Sequence, residues 1–315
     1  MHTLRTPFFP AALLLLFLMP HVRAQDAASS PRLQAIVDRA VGVVVEKFTA
    51  RKLATNQLAV TLVDLRDPAQ PTQASHRGDA QIYPASVIKL FYLAAAHRWM
   101  EDGKLPDTEE LRRAMGDMII HSYNEATGYV VDSLTDTTSG PELPEKEITE
   151  WFEKRNAVNR YFASLGYPGV NANKKPWCEG PYGRETQASK LFKPTRNALT
   201  TAATARLMTE IVTGKCVSAP RSTEMMKLLQ RDPFSKKAGA DDQGRGFTGG
   251  ALQAGDKLWS KAGWTSQTRH DAAYVELTDG NKFILVIFTT DHANERDIIP
   301  TLAKVVAEGL SKSAR

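Results

Sequence analysis

A serine and a lysine three residues apart, Ser86 and Lys89, form the first chemically suggestive pair in this sequence. At the start of a helix this spacing places both side chains on one face. A serine hydroxyl is a weak nucleophile that needs a general base. A lysine can be that base when burial lowers its pKa, and the apolar neighbours Ile88, Leu90 and Phe91 would exclude water. The pair predicts a serine nucleophile; an N-cap serine followed by a surface lysine is the alternative.

A second short segment, Ser122-Tyr123-Asn124, lies between two predicted helices. Ser122 can relay a proton from a nucleophile to a leaving nitrogen, because a hydroxyl both donates and accepts hydrogen bonds. The amide of Asn124 can hydrogen-bond both Lys89 and a substrate amide. Serine and asparagine are also favoured at helix ends, so a capping role is the alternative interpretation.

A third segment, Lys261-Ala262-Gly263-Trp264, follows a short predicted strand. The Lys261 ammonium can bind a carboxylate and favour proton release from Ser122. Gly263 would let a substrate backbone lie close to the strand. We expect the backbone N–H of Trp264 and that of the nucleophilic serine to form an oxyanion hole. The alternative is a surface lysine at a strand end.

The composition is that of an ordinary globular protein of 315 residues, 42% hydrophobic and 24% charged. This length suits one large domain or two small ones. Without residues 1–24, which contain two arginines, 38 basic and 35 acidic residues leave a net charge of +3. No basic cluster is interleaved with aromatic residues, so we expect no nucleic-acid partner.

Residues 1–24 have the pattern of a secretory signal peptide. His2 and Arg5 form a basic start, residues 11–19 an apolar core, and residues 22–24 a small-x-small cleavage site. The apolar run is too short for a membrane span, and no later run is long enough. We expect a periplasmic or secreted protein with no transmembrane segment in the mature chain; an uncleaved anchor is the alternative.

Cys178 and Cys216 are the only cysteines. In an exported chain they can form one disulfide, and two unpaired thiols are the alternative. Two cysteines without partnering histidines form no zinc site, so we expect no metal.

Apolar periodicity places strands at both ends of the chain and helices in the middle. This order predicts an α+β fold: one antiparallel sheet built from both chain ends, flanked by terminal helices, with an inserted all-helical subdomain. We expect residues 25–315 to form one domain, with an α/β lobe at about 31–80 and 256–315, a helical lobe at about 86–235, and a site between them. The predicted strands are 58–65, 72–76, 257–261, 271–277 and 282–290. The predicted helices are 31–48, 86–99, 108–120, 125–134, 149–165, 200–212, 222–230 and 294–310. We expect a long irregular stretch at 167–193 and a flexible connector at 235–255.

In this order, the three segments resemble the signature of the serine β-lactamase and penicillin-binding transpeptidase superfamily, and look most similar to its class A branch. The resemblance covers roughly residues 31–310. It implies an acyl-enzyme on Ser86, no metal or other cofactor, and a small-molecule substrate such as a β-lactam or a peptidoglycan-like peptide. We expect a monomer.

Two positions depart from that signature. Tyr123 stands where the family usually has aspartate, and Ala262 lacks a hydroxyl that usually helps to bind the substrate carboxylate. Thr265, Arg269 or His270 are candidates to replace it. Arg269 is favoured because its planar fork suits a carboxylate, and a surface strand end is the alternative.

The family's class A branch carries a glutamate in an E-x-x-L-N context that activates the deacylating water, and no such motif lies between residues 167 and 193. Glu179 and Glu185 are the candidates for this role, and an ordinary loop carboxylate is the alternative for each. The leading interpretation is an exported β-lactamase-type serine hydrolase. The alternatives are a D-Ala-D-Ala carboxypeptidase-like penicillin-binding protein or an esterase, and a non-catalytic cell-wall sensor with the same fold.

Overall fold

The computed structural model describes residues 27–177, 180–194, 196–236, 239 and 241–312. Seven strands form one sheet in the order β1-β3-β2-β7-β6-β5-β4. The strands are β1 Ala28–Ser29, β2 Leu58–Asp64, β3 Thr72–His76, β4 Gln230–Arg231, β5 Lys257–Trp264, β6 Thr268–Glu276 and β7 Lys282–Thr290.

The predicted α+β architecture, with an antiparallel sheet built from both chain ends, is confirmed. Strand β2 from the N-terminal part lies between β3 and β7 and is antiparallel to both. The two-residue strands β1 and β4 were not predicted, because they are too short to show alternation. Strand β1 runs parallel to β3, which makes the sheet mixed at that edge.

Ten α-helices lie within the described residues. They are α1 Pro31–Lys47, α2 Lys89–Glu101, α3 Glu109–Gly116, α4 Asn124–Thr135, α5 Glu145–Arg155, α6 Ala157–Ser164, α7 Gly183–Leu191, α8 Thr201–Val212, α9 Ala219–Leu229 and α10 Ile298–Lys312.

The sheet separates two apolar cores. On one face α1 and α10 pack against it, with Leu33 and Val37 in the same core as Leu302 and Val306. The other face meets the helical region, where α2 is buried almost all round. Strand β2 is therefore buried along its whole length, which explains its continuous apolar sequence.

Several predicted elements differ in detail. The predicted helix 149–165 is two helices that break at Asn156, whose side-chain Nδ2 donates to Phe152 O at 2.9 Å and competes with helix continuation. The stretch 167–193 contains α7. The predicted flexible connector 235–255 is wrong for its described C-terminal part, because Phe247 is fully buried there and a 3₁₀ turn covers Thr248–Ala251.

The predicted signal peptide, residues 1–24, lies outside the described residues. None of the helices in the described part of the chain has the length and apolarity needed to cross a bilayer. Cys216 is buried, but Cys178 is outside the described residues, so a disulfide between them stays a prediction.

Candidate active site

Ser86 lies in a single 3₁₀ turn, Ala85–Ile88, which continues into α2 at Lys89. Residues three apart eclipse each other in such a turn, so Ser86 and Lys89 lie on the same side. Ser86 is partly exposed and Lys89 is fully buried. Ala85 has a φ of +46°, which is costly for a residue with a Cβ atom. Backbone strain therefore lies next to the predicted nucleophile.

The segment that leads into this turn is held by His270 of β6. The backbone N–H of Thr289 donates to His270 Nδ1 at 3.1 Å, so the other ring nitrogen, Nε2, carries the proton and donates to Tyr83 O at 2.9 Å. Burial lowers the pKa of His270 to about 4, which keeps the imidazole neutral. Both ring nitrogens are occupied, so the suggestion that His270 binds a substrate carboxylate is wrong.

Lys89 is bound to the segment that contains Ser122. Its Nζ donates to Ser122 O at 2.6 Å, to Asn124 Oδ1 at 2.8 Å and to Ser122 Oγ at 3.2 Å. Asn124 is the first residue of α4, and its Nδ2 donates to Trp177 O at 3.4 Å. The structure thus brings Lys89, Ser122 and Asn124 together, as their spacing suggested.

Local backbone geometry positions Ser122. Helix α3 ends in a wider π turn, Asp117–His121, and Ser122 follows in the left-handed region with a φ of +59°. A non-glycine residue there is strained and is commonly found at functional sites. Tyr123 is exposed, and its ring stacks on His121 with centroids 5.3 Å apart.

Lys261 approaches the same hydroxyl from strand β5. Its Nζ donates to Ser122 Oγ at 3.0 Å, to Gln243 Oε1 at 2.6 Å and to Ala262 O at 2.7 Å. Burial, and then the positive charges of Lys89 and Arg231, hold the pKa of Lys261 well below its usual range. Two lysine amines therefore flank one serine hydroxyl.

Gly263 touches protein backbone. A Cβ atom at this position would lie 2.6 Å from Ser86 N and 2.8 Å from both Pro84 O and Val87 N. The sequence suggested that this glycine makes room for a substrate backbone. The structure shows instead that it lets the Ser86 turn pack directly on β5.

The two candidates near the start of β6 make contacts of their own. Thr265 is exposed in the β5–β6 turn, where its Oγ1 accepts the backbone N–H groups of Gln267 and Thr268. Arg269 is buried, and its guanidinium donates to Asp241 and lies over the Phe247 ring at 3.9 Å.

The structure does not bring Arg269 to the site. Arg269 pairs across strands with Trp264, and Asp271 pairs with Ala262, which lies in the core under α1 and α10. Side chains alternate between the two faces of a strand, so Lys261 and Arg269 point to opposite sides of the sheet. The Trp264 ring contacts Phe247 on the Arg269 side, so only the Trp264 backbone is available for the predicted oxyanion hole.

Glu179, the first candidate to activate the deacylating water, lies outside the described residues. Glu185, the second, is on α7 with only 3% of its surface exposed. Its Oε1 accepts hydrogen bonds from Arg155 Nη2 at 2.7 Å and Ser139 Oγ at 3.0 Å, and Lys175 Nζ is 3.8 Å away. Two cations, Arg155 and Lys175, therefore lie beside this carboxylate.

Sequence reasoning missed Gln243 and Arg231. Gln243 accepts from Lys261 and from the backbone N–H of Ala262. Arg231 donates to Ser260 O and Ile119 O, and burial lowers its pKa to about 10. Neither residue belongs to a recognisable motif, and only the tertiary structure brings them to the site. Within the described residues, no group of three or more histidine, cysteine or acidic side chains could hold a metal ion.

Solved structures with the same fold include β-lactamases and PBP-A. The β-lactamase from Chitinophaga pinensis DSM 2588 has a TM-score of 0.63 and 18% identity over 89% of this chain and 99% of that chain. The β-lactamase from Sphaerobacter thermophilus DSM 20745 has a TM-score of 0.61 and 17% identity, covering 89% and 98%. A mutant of PBP-A, in an acyl-enzyme complex with penicillin G, has a TM-score of 0.62 and 15% identity, covering 89% and 97%.

The TM-scores and coverages of these matches establish the fold, and the family follows from the sequence itself. No curated protein sequence matches this chain. The profile of the beta-lactamase enzyme family matches residues 45–310, which include all three sequence segments described above. The chain therefore belongs to the beta-lactamase enzyme family.

Proposed function

We propose that this protein is an exported serine hydrolase that forms an acyl-enzyme on Ser86 with a β-lactam or a related amide. One observation supports this most strongly. Ser122 Oγ lies 3.2 Å from Lys89 Nζ and 3.0 Å from Lys261 Nζ. A hydroxyl between two amines is suited to relay a proton, and one of these amines, Lys89, lies three residues after the nucleophile.

In the proposed reaction, Lys89 first gives up a proton, and its free amine then accepts the hydroxyl proton as Ser86 Oγ bonds to the substrate carbonyl carbon. The carbonyl oxygen becomes an oxyanion, which backbone N–H groups stabilise. When the C–N bond breaks, Ser122 passes a proton to the leaving nitrogen and is reprotonated from Lys89. The positive charge of the Lys261 ammonium attracts the substrate carboxylate, while its N–H groups remain hydrogen-bonded to Gln243, Ala262 and Ser122. Water then releases the acyl group and regenerates Ser86.

A second candidate, a D-Ala-D-Ala carboxypeptidase-like penicillin-binding protein with slow deacylation, is favoured by the contacts of Glu185. That carboxylate pairs with Arg155 and is unsuited to activate water. The acyl-enzyme would persist unless Glu179 or another group activates the water. An esterase would share the same first step. Retention of Ser86, Lys89 and Ser122 argues against a non-catalytic sensor, in which the nucleophile would be free to change.

The test is a time course of intact mass after mixing the mature protein with benzylpenicillin, with hydrolysis followed in parallel. Rapid hydrolysis with little adduct supports a β-lactamase. A lasting adduct that maps to Ser86 supports the penicillin-binding alternative. Ser86→Ala should give neither. An unmutated protein with no adduct and no hydrolysis would contradict the proposal for β-lactams, and ligand binding that survives Ser86→Ala would then favour the sensor.

We further propose that residues 1–24 are removed on export and that residues 25–315 act as one monomeric domain in the periplasm or outside the cell. The apolar core and small-x-small site of the leader support this proposal. N-terminal sequencing of protein recovered from the periplasm tests it: a first residue of Gln25 is expected. Membrane-bound protein with an intact leader would contradict it.

A further inference from the structure

Gln243 joins the strand of Lys261 to the turn that leads to Ser122. Its Oε1 accepts hydrogen bonds from Lys261 Nζ at 2.6 Å and from the backbone N–H of Ala262 at 3.2 Å. Its Nε2 donates to Ile120 O at 3.0 Å. Because the nitrogen faces a carbonyl and the oxygen faces an ammonium, the amide has one favourable orientation. The residue is only 8% exposed, so water does not substitute readily for these contacts.

We propose that Gln243 is a positioning residue, which directs the Lys261 ammonium toward Ser122 and thereby sets the upper pH limit for acylation of Ser86. This inference rests on the proposed function. An ammonium has three N–H groups. Gln243 Oε1 and Ala262 O accept two of them, and the third is left for Ser122 Oγ. Without Gln243, Lys261 loses its shortest hydrogen bond and the constraint on its direction.

The charges around Lys261 explain why an uncharged acceptor matters. Lys89 on α2 and Arg231 on β4 both disfavour the ammonium, and Asp271 on β6 favours it. Burial of Lys261 disfavours it most of all. A hydrogen bond to the charged form opposes these effects. Gln243 therefore favours the protonated amine of Lys261. It adds no negative charge, which would compete with the substrate carboxylate for that ammonium.

Two substitutions separate this role from simple packing. Gln243→Met keeps the length of the side chain and removes the acceptor, so the alkaline limb of the acylation rate should move down by about one pH unit. Its maximal rate should fall about 10-fold because Lys261 is less well oriented. Gln243→Glu places a carboxylate beside the ammonium and should move the limb up. Both variants lose the amide donor to Ile120 O, so the difference between them reports the acceptor together with its charge.

Gln253→Met is the matched control. Gln253 is exposed in the same segment, and its backbone N–H donates to Asp256. Its pH profile should coincide with that of the unmutated protein. Thermal unfolding of each variant shows whether the protein is folded; if Gln243→Met does not fold, the upward shift in Gln243→Glu decides.

The experiment measures the second-order rate of Ser86 acylation by benzylpenicillin, by quenched intact mass, from about pH 5 to about pH 10. Opposite displacements of the alkaline limb support the inference. Coincident limbs in all variants overturn it while leaving the proposed function intact. If the unmutated protein is not acylated, the proposed function fails, and carbon-13 NMR of labelled lysine then decides the role of Gln243. An unchanged Lys261 titration in both Gln243 variants would overturn it.

Discussion

Gly263 of β5 lies against the backbone of Ser86, so closely that a Cβ atom at this glycine would be 2.6 Å from the Ser86 nitrogen. The same Cβ atom would also be 2.8 Å from Val87 N. This contact fixes the turn of the predicted nucleophile against the strand that carries Lys261. The close approach of the Ser86 turn to the strand of Lys261 thus depends on the absence of a methyl group at Gly263.

Gly263→Ala should therefore damage both the fold and the site. Overpacking against backbone costs about 1–3 kcal/mol in the free energy of unfolding, and displacement of Ser86 should slow its acylation by about 100-fold. The matched control is Gly42→Ala on α1, where the added Cβ atom meets nothing within 4 Å. That variant should be more stable by about 0.5–1 kcal/mol. Normal acylation of Gly263→Ala would contradict the structural role assigned to this contact.

The same region shows what the sequence could predict. The order and local context of the short segments were enough to bring Lys89, Ser122, Asn124 and Lys261 into one site, because each lies in or next to an element whose type was predictable. The contact between Gly263 and the Ser86 turn could not be predicted, since it depends on how two elements that are distant in the sequence pack together.

Arg269 was misplaced for a different reason. Residues 269–271 are all polar, so their sequence has no alternation that reveals which face of β6 each one occupies. The register with β5 settles the question: Arg269 and Asp271 face the core under α1 and α10, and His270 faces the helices. Gln243 could not be identified as a site residue from the sequence, because it lies in a segment with no periodic pattern.

Buried histidines should make stability depend on pH. Burial lowers the pKa of both His270 and His97 from 6.5 to about 4. Between these pH values the unfolded chain binds protons that the folded protein does not, so the free energy of unfolding falls as the pH falls from about 6.5 to about 4. Each histidine contributes a loss of about 3 kcal/mol. Below about pH 4 both states are protonated and this loss stops.

His270→Gln tests that assignment. The glutamine keeps a donor for Tyr83 O but cannot titrate. The unfolding free energy should therefore vary less steeply over this pH range, because about one proton fewer is taken up on unfolding. Urea denaturation at several pH values measures the slope. His76→Gln on β3 controls for the change of residue type. Parallel curves for His270→Gln and the unmutated protein would show that His270 is not the group that titrates.

The buried pair of Glu185 and Arg155 should be structural. Arg155 Nη2 is 2.7 Å from Glu185 Oε1 and 3.2 Å from Asp132 Oδ1. Glu185→Gln leaves part of the Arg155 charge uncompensated and should cost about 3–5 kcal/mol. The double variant with Arg155→Met should recover part of this loss, because both charges are then absent.

Deacylation distinguishes this structural role from a catalytic one. We expect the release of penicilloate per folded molecule to be unchanged in Glu185→Gln. Glu179→Gln is the complementary variant: if that residue activates the water, deacylation slows by at least about 100-fold while acylation stays normal. A Glu185→Gln protein of normal stability that cannot deacylate would reverse the assignment.

The two cations on opposite faces of the sheet should have separable effects on a substrate carboxylate. Lys261→Met removes the ammonium next to Ser122, and we expect acylation by benzylpenicillin to slow by about 100- to 1000-fold. Arg269→Met removes the contacts with Asp241 and the Phe247 ring. It should lower the unfolding free energy by about 1–3 kcal/mol and leave the acylation of folded protein unchanged.

A penicillin methyl ester, which lacks the carboxylate charge, isolates the binding role of Lys261. The ratio of acid to ester acylation rates should fall in Lys261→Met, because the ammonium no longer favours the acid, and should stay the same in Arg269→Met. Lys257→Met, at the exposed start of the same strand, is the matched control. If Arg269→Met lowered the ratio and Lys261→Met did not, the carboxylate would bind on the other face of the sheet, and the direction of Lys261 toward Ser122 would serve proton transfer alone.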